Sequence, residues 1–297
     1  MGPDYTPPLL PSHKQLLNLH RRICITRVFH HTYGHMTSDY WQRQTTDKLL
    51  FPDLQWSRPE NRATAGKLLI VGGNAYGFAA PATAFQIAEQ AGIGTARMLL
   101  PDSLRKVVGT GFTAGELAPT TPSGSFSQKA LLELLGMAQW ADGVLLTGDF
   151  GRNSETAILI EKFLSKYPGQ VTLTQDAIDY VVNAPQQVLE RAETTLVFSF
   201  AQLQKLATSA KFTTAFTFEM DFLRLIEALH QLTAKHALRI VVKHLETIFV
   251  AVDGQVSSTK LNTSKKVWRV ETAAKTATWW LQNPSKPFQA LTTAVVN

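Results

Sequence analysis

The chain has 297 residues, 44% of them hydrophobic and 18% charged, with a formal net charge of +6. That length suits one large α/β core or two domains. No apolar run approaches the ~18 residues of a membrane span, and the lone Cys24 excludes an internal disulfide framework and fits a reducing, cytoplasmic setting.

Half of the charge lies in residues 1–35, where Lys14, Arg21, Arg22 and Arg27 are offset only by Asp4. The remainder is weakly basic, so neither nucleic acid nor a membrane is an expected partner. Five of the eight histidines also fall in this stretch. His31 and His35 stand at i,i+4 spacing beside His30, but no fourth ligand or helical framework accompanies them. The tract reads as histidine-rich and adventitious, and no metal is expected. Residues 1–35 read as a disordered leader or a non-native extension, with Met36 the expected start. Residues 36–55 form an amino-terminal segment, and 56–297 a single domain.

Apolar strands then alternate with helical stretches. "KLLIVGG" is a strand whose buried run suits a sheet covered on both faces. "PATAFQIAEQAG" is a helix with Pro81 in its first turn and Ala84, Ile87, Ala88 and Ala91 on one face. Gly92 suits its end. "TARMLLP" is the next strand, followed by a short helix from Asp102. Residues 109–127 read as loop. "SQKALLELLGMAQWA" is a helix, and "GVLLTGDFGRN" a strand entering a second glycine turn. The helix "SETAILIEKFLSKY" leads to the strand "GQVTLTQDAID". "TTLVFSF" and "AQLQKLAT" are a further strand and helix. Phe222, Leu225, Ile226, Leu229 and Leu232 stripe the long helix after them.

Three short strands close the pattern, "LRIVVKH", "ETIFVAV" and "QVSSTKL". Asp253-Gly254 between the last two is a type I′ hairpin signal. Two helices end the chain. This order predicts a doubly wound, mostly parallel sheet with helices on both faces and a terminal antiparallel β-meander.

Four stretches, "IVGGNAYGFAAPATAFQIAEQAGIGTARML", "GVLLTGDFGRN", "VTLTQDAID" and "LRIVVKHLETIFVAVDG", stand in the order of a known family. Together they resemble the ribokinase-like superfamily. More narrowly, they resemble the ADP/ATP-dependent NAD(P)H-hydrate dehydratases of the carbohydrate-kinase group. The resemblance spans residues 56–297. It implies a substrate pocket at Gly72, Gly73, Asn74, Ala80, Gly148, Asp149 and Ser199. It also implies nucleotide contacts from Asp176, Lys243 and Asn262, with ATP or ADP and an NAD(P)H-type compound as ligands.

Each of these has a plainer reading. Small residues at Gly72 and Gly73 permit close helix–sheet packing. Asp149 sits in a turn, and Asp176 can cap the next helix.

The sequence departs from that family at two places. Where the family carries Thr-Pro-His-Pro-Gly-Glu, this chain has "LVFSFAQLQKL", with Ser199 at the His position and Gln202 at the Glu position. Where the family has a Gly-Thr-Gly-Asp turn, this chain has "NTSKKVWRVETAAKTATWW", and no glycine follows Gly254. Glu271 stands near the catalytic acid position, or serves simply as an acid at a helix start. Lys260, Lys265, Lys266 and Arg269 read as a solvated run. His244 replaces the family's glycine after Lys243 and would crowd the nucleotide side.

The departures favour an impaired family member that binds a nucleotide, a metabolite or a protein partner. An active dehydratase with a rebuilt phosphate site and a small-molecule kinase are the alternatives. Trp279-Trp280 fits either a subunit contact in a homo-oligomer or the core.

Overall fold

The computed structural model describes residues 39–109, 111–261 and 268–296. Ten strands form one sheet: β1 (Trp41–Gln44), β2 (Lys67–Gly72), β3 (Thr95–Pro101), β4 (Gly115–Ala118), β5 (Gly143–Gly148), β6 (Gln170–Thr174), β7 (Thr194–Phe198), β8 (Arg239–His244), β9 (Thr247–Val252) and β10 (Gln255–Lys260). Eight helices accompany it: α1 (Ala79–Gln90), α2 (Leu131–Trp140), α3 (Ser154–Lys166), α4 (Asp176–Val181), α5 (Phe200–Ser209), α6 (Phe222–Lys235), α7 (Trp268–Gln282) and α8 (Pro287–Ala294). A few single helical turns join them.

Spatial strand order is β1-β10-β9-β8-β7-β6-β5-β2-β3-β4. From β4 to β8 every neighbouring pair is parallel, and β8, β9 and β10 make the antiparallel meander. The β9–β10 turn places Asp253 and Gly254 both at positive φ, the conformation a type I′ turn demands.

Alternation within the strands divides the core in two. Leu69, Val71, Leu196, Phe198, Ile240 and Val242 face one side, against α2, α3, α5 and α6. Leu68, Ile70, Val197 and Val241 face the other, against α1, α7 and α8. Successive strand side chains point to opposite faces, so a run such as Leu68–Val71 feeds both layers.

Two edge strands were not expected. β4 lies inside the stretch read as loop, parallel to β3. β1 runs parallel to β10 from within the segment before the expected domain. Its sequence, Trp-Gln-Arg-Gln, has no apolar alternation. Polar contacts hold it instead: Trp41 Nε1 donates to Ser258 Oγ at 3.0 Å, and buried Gln44 donates through Nε2 to the Thr292 carbonyl at 2.8 Å.

Trp279 and Trp280 are each only 1% exposed, which assigns them to the core of this chain. Trp279 packs with Leu54, Ala290 and Ala294 and lies under the Arg58 guanidinium. Trp280 carries Arg239 over its ring at 4.2 Å. No helix of the described residues is long and apolar enough to cross a membrane.

Candidate functional site

The chain leaves β2 toward β3 on one side and returns to β5 on the other. The carboxyl ends of β2 and β5 therefore mark the topological switch point, where open α/β sheets hold their ligands. Both glycine turns meet there. Val71 pairs with Leu146 but Gly72 pairs with Gly148, so Thr147 is an extra residue, a β-bulge. Thr147 Oγ1 donates to the Val71 carbonyl at 3.0 Å. A Cβ on Gly72 would lie 2.4 Å from both the Gly148 oxygen and Thr147 Oγ1. Gly72 is thus demanded by the approach of two backbones.

The amides of the first turn are already spent. Gly73 N–H donates to the Gly148 carbonyl at 3.0 Å, and Asn74 N–H to that of Gly77 at 3.0 Å. Asn74 Nδ2 donates to the Asp149 carbonyl at 2.7 Å. Ala80 N–H, in the first turn of α1, donates to Asp149 Oδ2 at 2.7 Å. This glycine pair packs strands closely, and its helix start is capped by a carboxylate of the protein. Asp149 does so from a left-handed conformation, φ 59°. Gln175 at the end of β6 also has positive φ, 54°. Such strain is stored where surrounding structure enforces it, often at functional sites.

Asp176 follows Gln175 and opens α4, yet caps nothing in that helix. Its Oδ2 instead accepts from the Gly151 N–H across the second glycine turn, at 3.1 Å. Its Oδ1 is enclosed without a hydrogen-bond partner. Burial pushes this carboxyl group up to about 6, helped by the charges of Asp149 and Asp179 and opposed by the Gly151 and Phe150 amides.

Ser199 and Gln202 at the end of β7 form a reciprocal capping box for α5. Ser199 is thereby a helix cap. Gln202 reaches further. Its Nε2 donates to the Gln175 carbonyl at 2.7 Å and to Asp179 Oδ1 at 3.0 Å, and its Oε1 accepts from Arg269 Nη1 at 3.1 Å. This corrects the reading of Arg269 as part of a solvated run. Its guanidinium is half-buried over the ends of β6 and β7, lowered from its ordinary value by burial and opposed in this by Asp179 and Asp176.

Lys243 and Glu271 meet elsewhere, in a cleft of about 190 Å³ with Lys275 and Trp268. Glu271 pairs with Lys275 at 2.8 Å. Ligand pockets usually run to about 300 Å³ or more, above the volume of this cleft. The next residue of β8, His244, points to the other face of the sheet and is buried between Phe200 and Phe218, ring centroids 4.5 and 5.1 Å away. Burial lowers its ring from the ordinary value, and its Nδ1 has no partner.

A hollow of about 700 Å³ opens beside the second glycine turn, lined by Gly151, Asn153, Asp176, Asp179, Tyr180 and Lys205 among others. A hollow of about 820 Å³ along edge strand β4 contains none of the predicted site residues. Among the described residues no cluster of three or more His, Cys, Asp or Glu side chains could hold a metal ion. Asn262, Lys265, Lys266, Met36 and the histidines at 30, 31 and 35 lie outside the described residues.

The structure therefore gathers Gly72, Gly73, Asn74, Ala80, Gly148, Asp149 and Asp176 around the two glycine turns. It joins Ser199 to them through Gln202, and sets Lys243 and Glu271 apart. Gln202 and Arg269 are the residues that sequence reasoning undervalued. The capping-box spacing of Ser199 and Gln202 was the available signal for the first; nothing local signalled the second.

No protein-family model matches the chain, and no curated protein sequence does. Solved structures are similar in fold. A ribokinase-like superfamily protein from Enterococcus faecalis superposes with a TM-score of 0.65 at 13% identity, covering 86% of this chain and 85% of that one. A hypothetical protein from Streptococcus mutans gives 0.61 at 12%, over 82% and 84%. The ADP/ATP-dependent NAD(P)H-hydrate dehydratase from Bacillus subtilis, co-crystallised with ATP and Mg2+, gives 0.53 at 11%, over 80% and 79%. Strand order, meander and these likenesses together identify the chain as a ribokinase-like α/β fold.

Proposed function

We propose that the chain is an impaired relative of the NAD(P)H-hydrate dehydratases and carbohydrate kinases, one that binds a nucleotide or a related metabolite without efficient turnover. One observation carries this reading. Arg269 and Glu271 lie two residues apart on α7, about 200° around its axis. Arg269 reaches Gln202 and the strand-end acids, so Glu271 faces the small cleft of Lys243 and Lys275. A carboxylate on that side does not converge with the glycine turns. The helix start that would stabilise transferred phosphate reads Trp-Arg-Val, and a nest of amides needs backbone conformations these side chains adopt poorly.

Binding is supported by the hollow of about 700 Å³ at the strand ends, whose size suits a metabolite. The test is thermal stabilisation of the chain by ATP, ADP, NADH and NADPH, followed by an NADH-hydrate repair assay. The expected result is stabilisation by at least one of them without repair. Repair with turnover makes the chain an active dehydratase and overturns the proposal. Transfer of phosphate from ATP to a small alcohol makes it a kinase. No stabilisation by any of the four removes the nucleotide and turns attention to a protein partner.

A further inference from the structure

Four charged side chains line the strand-end hollow beside the second glycine turn, and two of them are left unanswered. Asp176 and Asp179 stand on α4, Arg152 follows Gly151 in the turn, and Lys205 comes from α5. The acids are met from within the protein. Asp176 Oδ2 accepts from the Gly151 N–H, and Asp179 Oδ1 from Gln202 Nε2. The Arg269 guanidinium, bonded to the same Gln202, adds its charge opposite both carboxylates. Arg152 and Lys205 make no ion pair and no hydrogen bond among the described residues, although they share the hollow with two acids. The unmet charge on its wall is therefore positive.

Arg152 is held in place by its neighbours. Gly151 is tied through its N–H to Asp176 and through its carbonyl to the Tyr180 hydroxyl. Asn153 Nδ2 donates to Ser123 Oγ at 3.0 Å, and Asn153 Oδ1 caps α3 by accepting from the Glu155 and Thr156 amides. The backbone on either side of Arg152 is thus fixed while its side chain stays uncommitted. Ser154, also on the wall, adds a hydroxyl group with no partner among the described residues.

We propose that Arg152 and Lys205 are a phosphate-binding pair that grips a phosphorylated ligand in this hollow. The inference rests on the reading of the hollow as the binding site. It places the anion away from the start of α7, where Trp-Arg-Val stands in place of a nest of amides. A planar guanidinium makes two parallel bonds to a phosphate, and an ammonium adds a point charge. Asp176 and Asp179 oppose an anion, but their charge is already shared with the Gly151 amide, Gln202 and Arg269.

Calorimetric titration of the full-length chain with ADP, pyrophosphate and adenosine tests this. Arg152 and Lys205 are exposed, so Arg152→Gln and Lys205→Gln are expected to keep the parent melting temperature. ADP and pyrophosphate are expected to bind the parent and to lose about tenfold or more in affinity in each variant, the worth of one charge-assisted hydrogen bond. Lys243→Gln is expected to bind them as the parent does. Adenosine, which lacks phosphate, is expected to bind more weakly than ADP and equally in all variants. The proposal is overturned if neither ADP nor pyrophosphate binds the parent, if adenosine binds as tightly as ADP, or if only Lys243→Gln weakens ADP. Asn183→Trp, at an exposed residue of the wall, separates this inference from the reading beneath it. ADP binding that falls in Asn183→Trp but in neither charge variant keeps the hollow and removes the phosphate pair. ADP binding unchanged in all three places the ligand elsewhere and removes both.

Discussion

The Asp149 carboxylate accepts the Ala80 amide hydrogen at 2.7 Å, so a residue of the second glycine turn caps the helix that follows the first. The two turns are one structural unit, although 69 residues separate the partners. The bond replaces the cap that Phe78, the residue preceding α1, cannot supply. Asp149→Ala is expected to lose about 1–2 kcal/mol, as a missing N-cap does. Asp149→Asn, which keeps an acceptor and tolerates positive φ, is expected to retain most of the stability. Urea denaturation checks both, as a lowered midpoint with an unchanged slope.

Gly72 and Gly136 should respond oppositely to alanine. At Gly72 the added methyl meets the Gly148 carbonyl and Thr147 Oγ1 at 2.4 Å, and backbone cannot yield there. Gly72→Ala is expected to cost about 3 kcal/mol or more. Gly136 lies inside α2 with nothing within 4 Å of a Cβ. Gly136→Ala is expected to stabilise by about 0.5–1 kcal/mol, the helix propensity difference. Melting temperatures of the two variants, compared with the parent, measure this.

Asp176 and His244 tilt the pH dependence of stability in opposite directions. The Asp176 carboxyl group is raised from 3.8 to about 6 in the folded chain. Between those values the folded state holds the proton more tightly than the unfolded state, so stability falls as pH rises through that window. Asp176→Asn should therefore be more stable than the parent at neutral pH, by at most about 3 kcal/mol. The difference should vanish toward pH 3.8.

His244 is lowered by burial from 6.5. Its folded state gives up the proton that the unfolded state keeps, so its contribution is lost as pH falls below 6.5. His244→Phe fills the same aromatic contact without an unpartnered ring nitrogen. It should stabilise the chain at acidic pH and flatten the acid limb of its stability curve, as denaturation between about pH 5 and 7 would record.

Gln202 holds the ends of β6 and β7, the cap of α5 and the Arg269 side chain together. Gln202→Ala removes a capping box and leaves a half-buried guanidinium without its acceptor. A loss of about 2–3 kcal/mol is expected. Truncation at Lys205, one turn along the same helix, should change stability by no more than about 0.5 kcal/mol. Parallel chemical denaturation of the two variants distinguishes the network from a general effect of altering α5.

Much of the architecture is encoded locally. Leu68–Val71 and Val144–Leu146 are buried runs that suit central parallel strands. The α6 stripe from Leu225 to Leu232 follows the helical repeat, and Asp253-Gly254 forms the hairpin its dihedral preferences demand. These features depend on neighbours a few residues away, and sequence spacing states them directly. β1 escaped notice because its burial is polar: Gln44 is satisfied by Thr259 and Thr292, partners more than two hundred residues distant. β4 is a four-residue edge strand with no apolar run of its own.

Sequence by itself determined which dihedral angles and which buried faces each element requires, and from their order the doubly wound sheet. Tertiary structure decided where the polar groups are spent. It turned the Gly73 amide toward Gly148, set Asp149 against α1, left one Asp176 oxygen unpartnered, and sent Arg269 to Gln202 and Glu271 to the cleft of Lys243 and Lys275. Backbone preferences act between adjacent residues, whereas the partner of a hydrogen-bonding or charged group is chosen by whatever folding brings within about 3 Å of it.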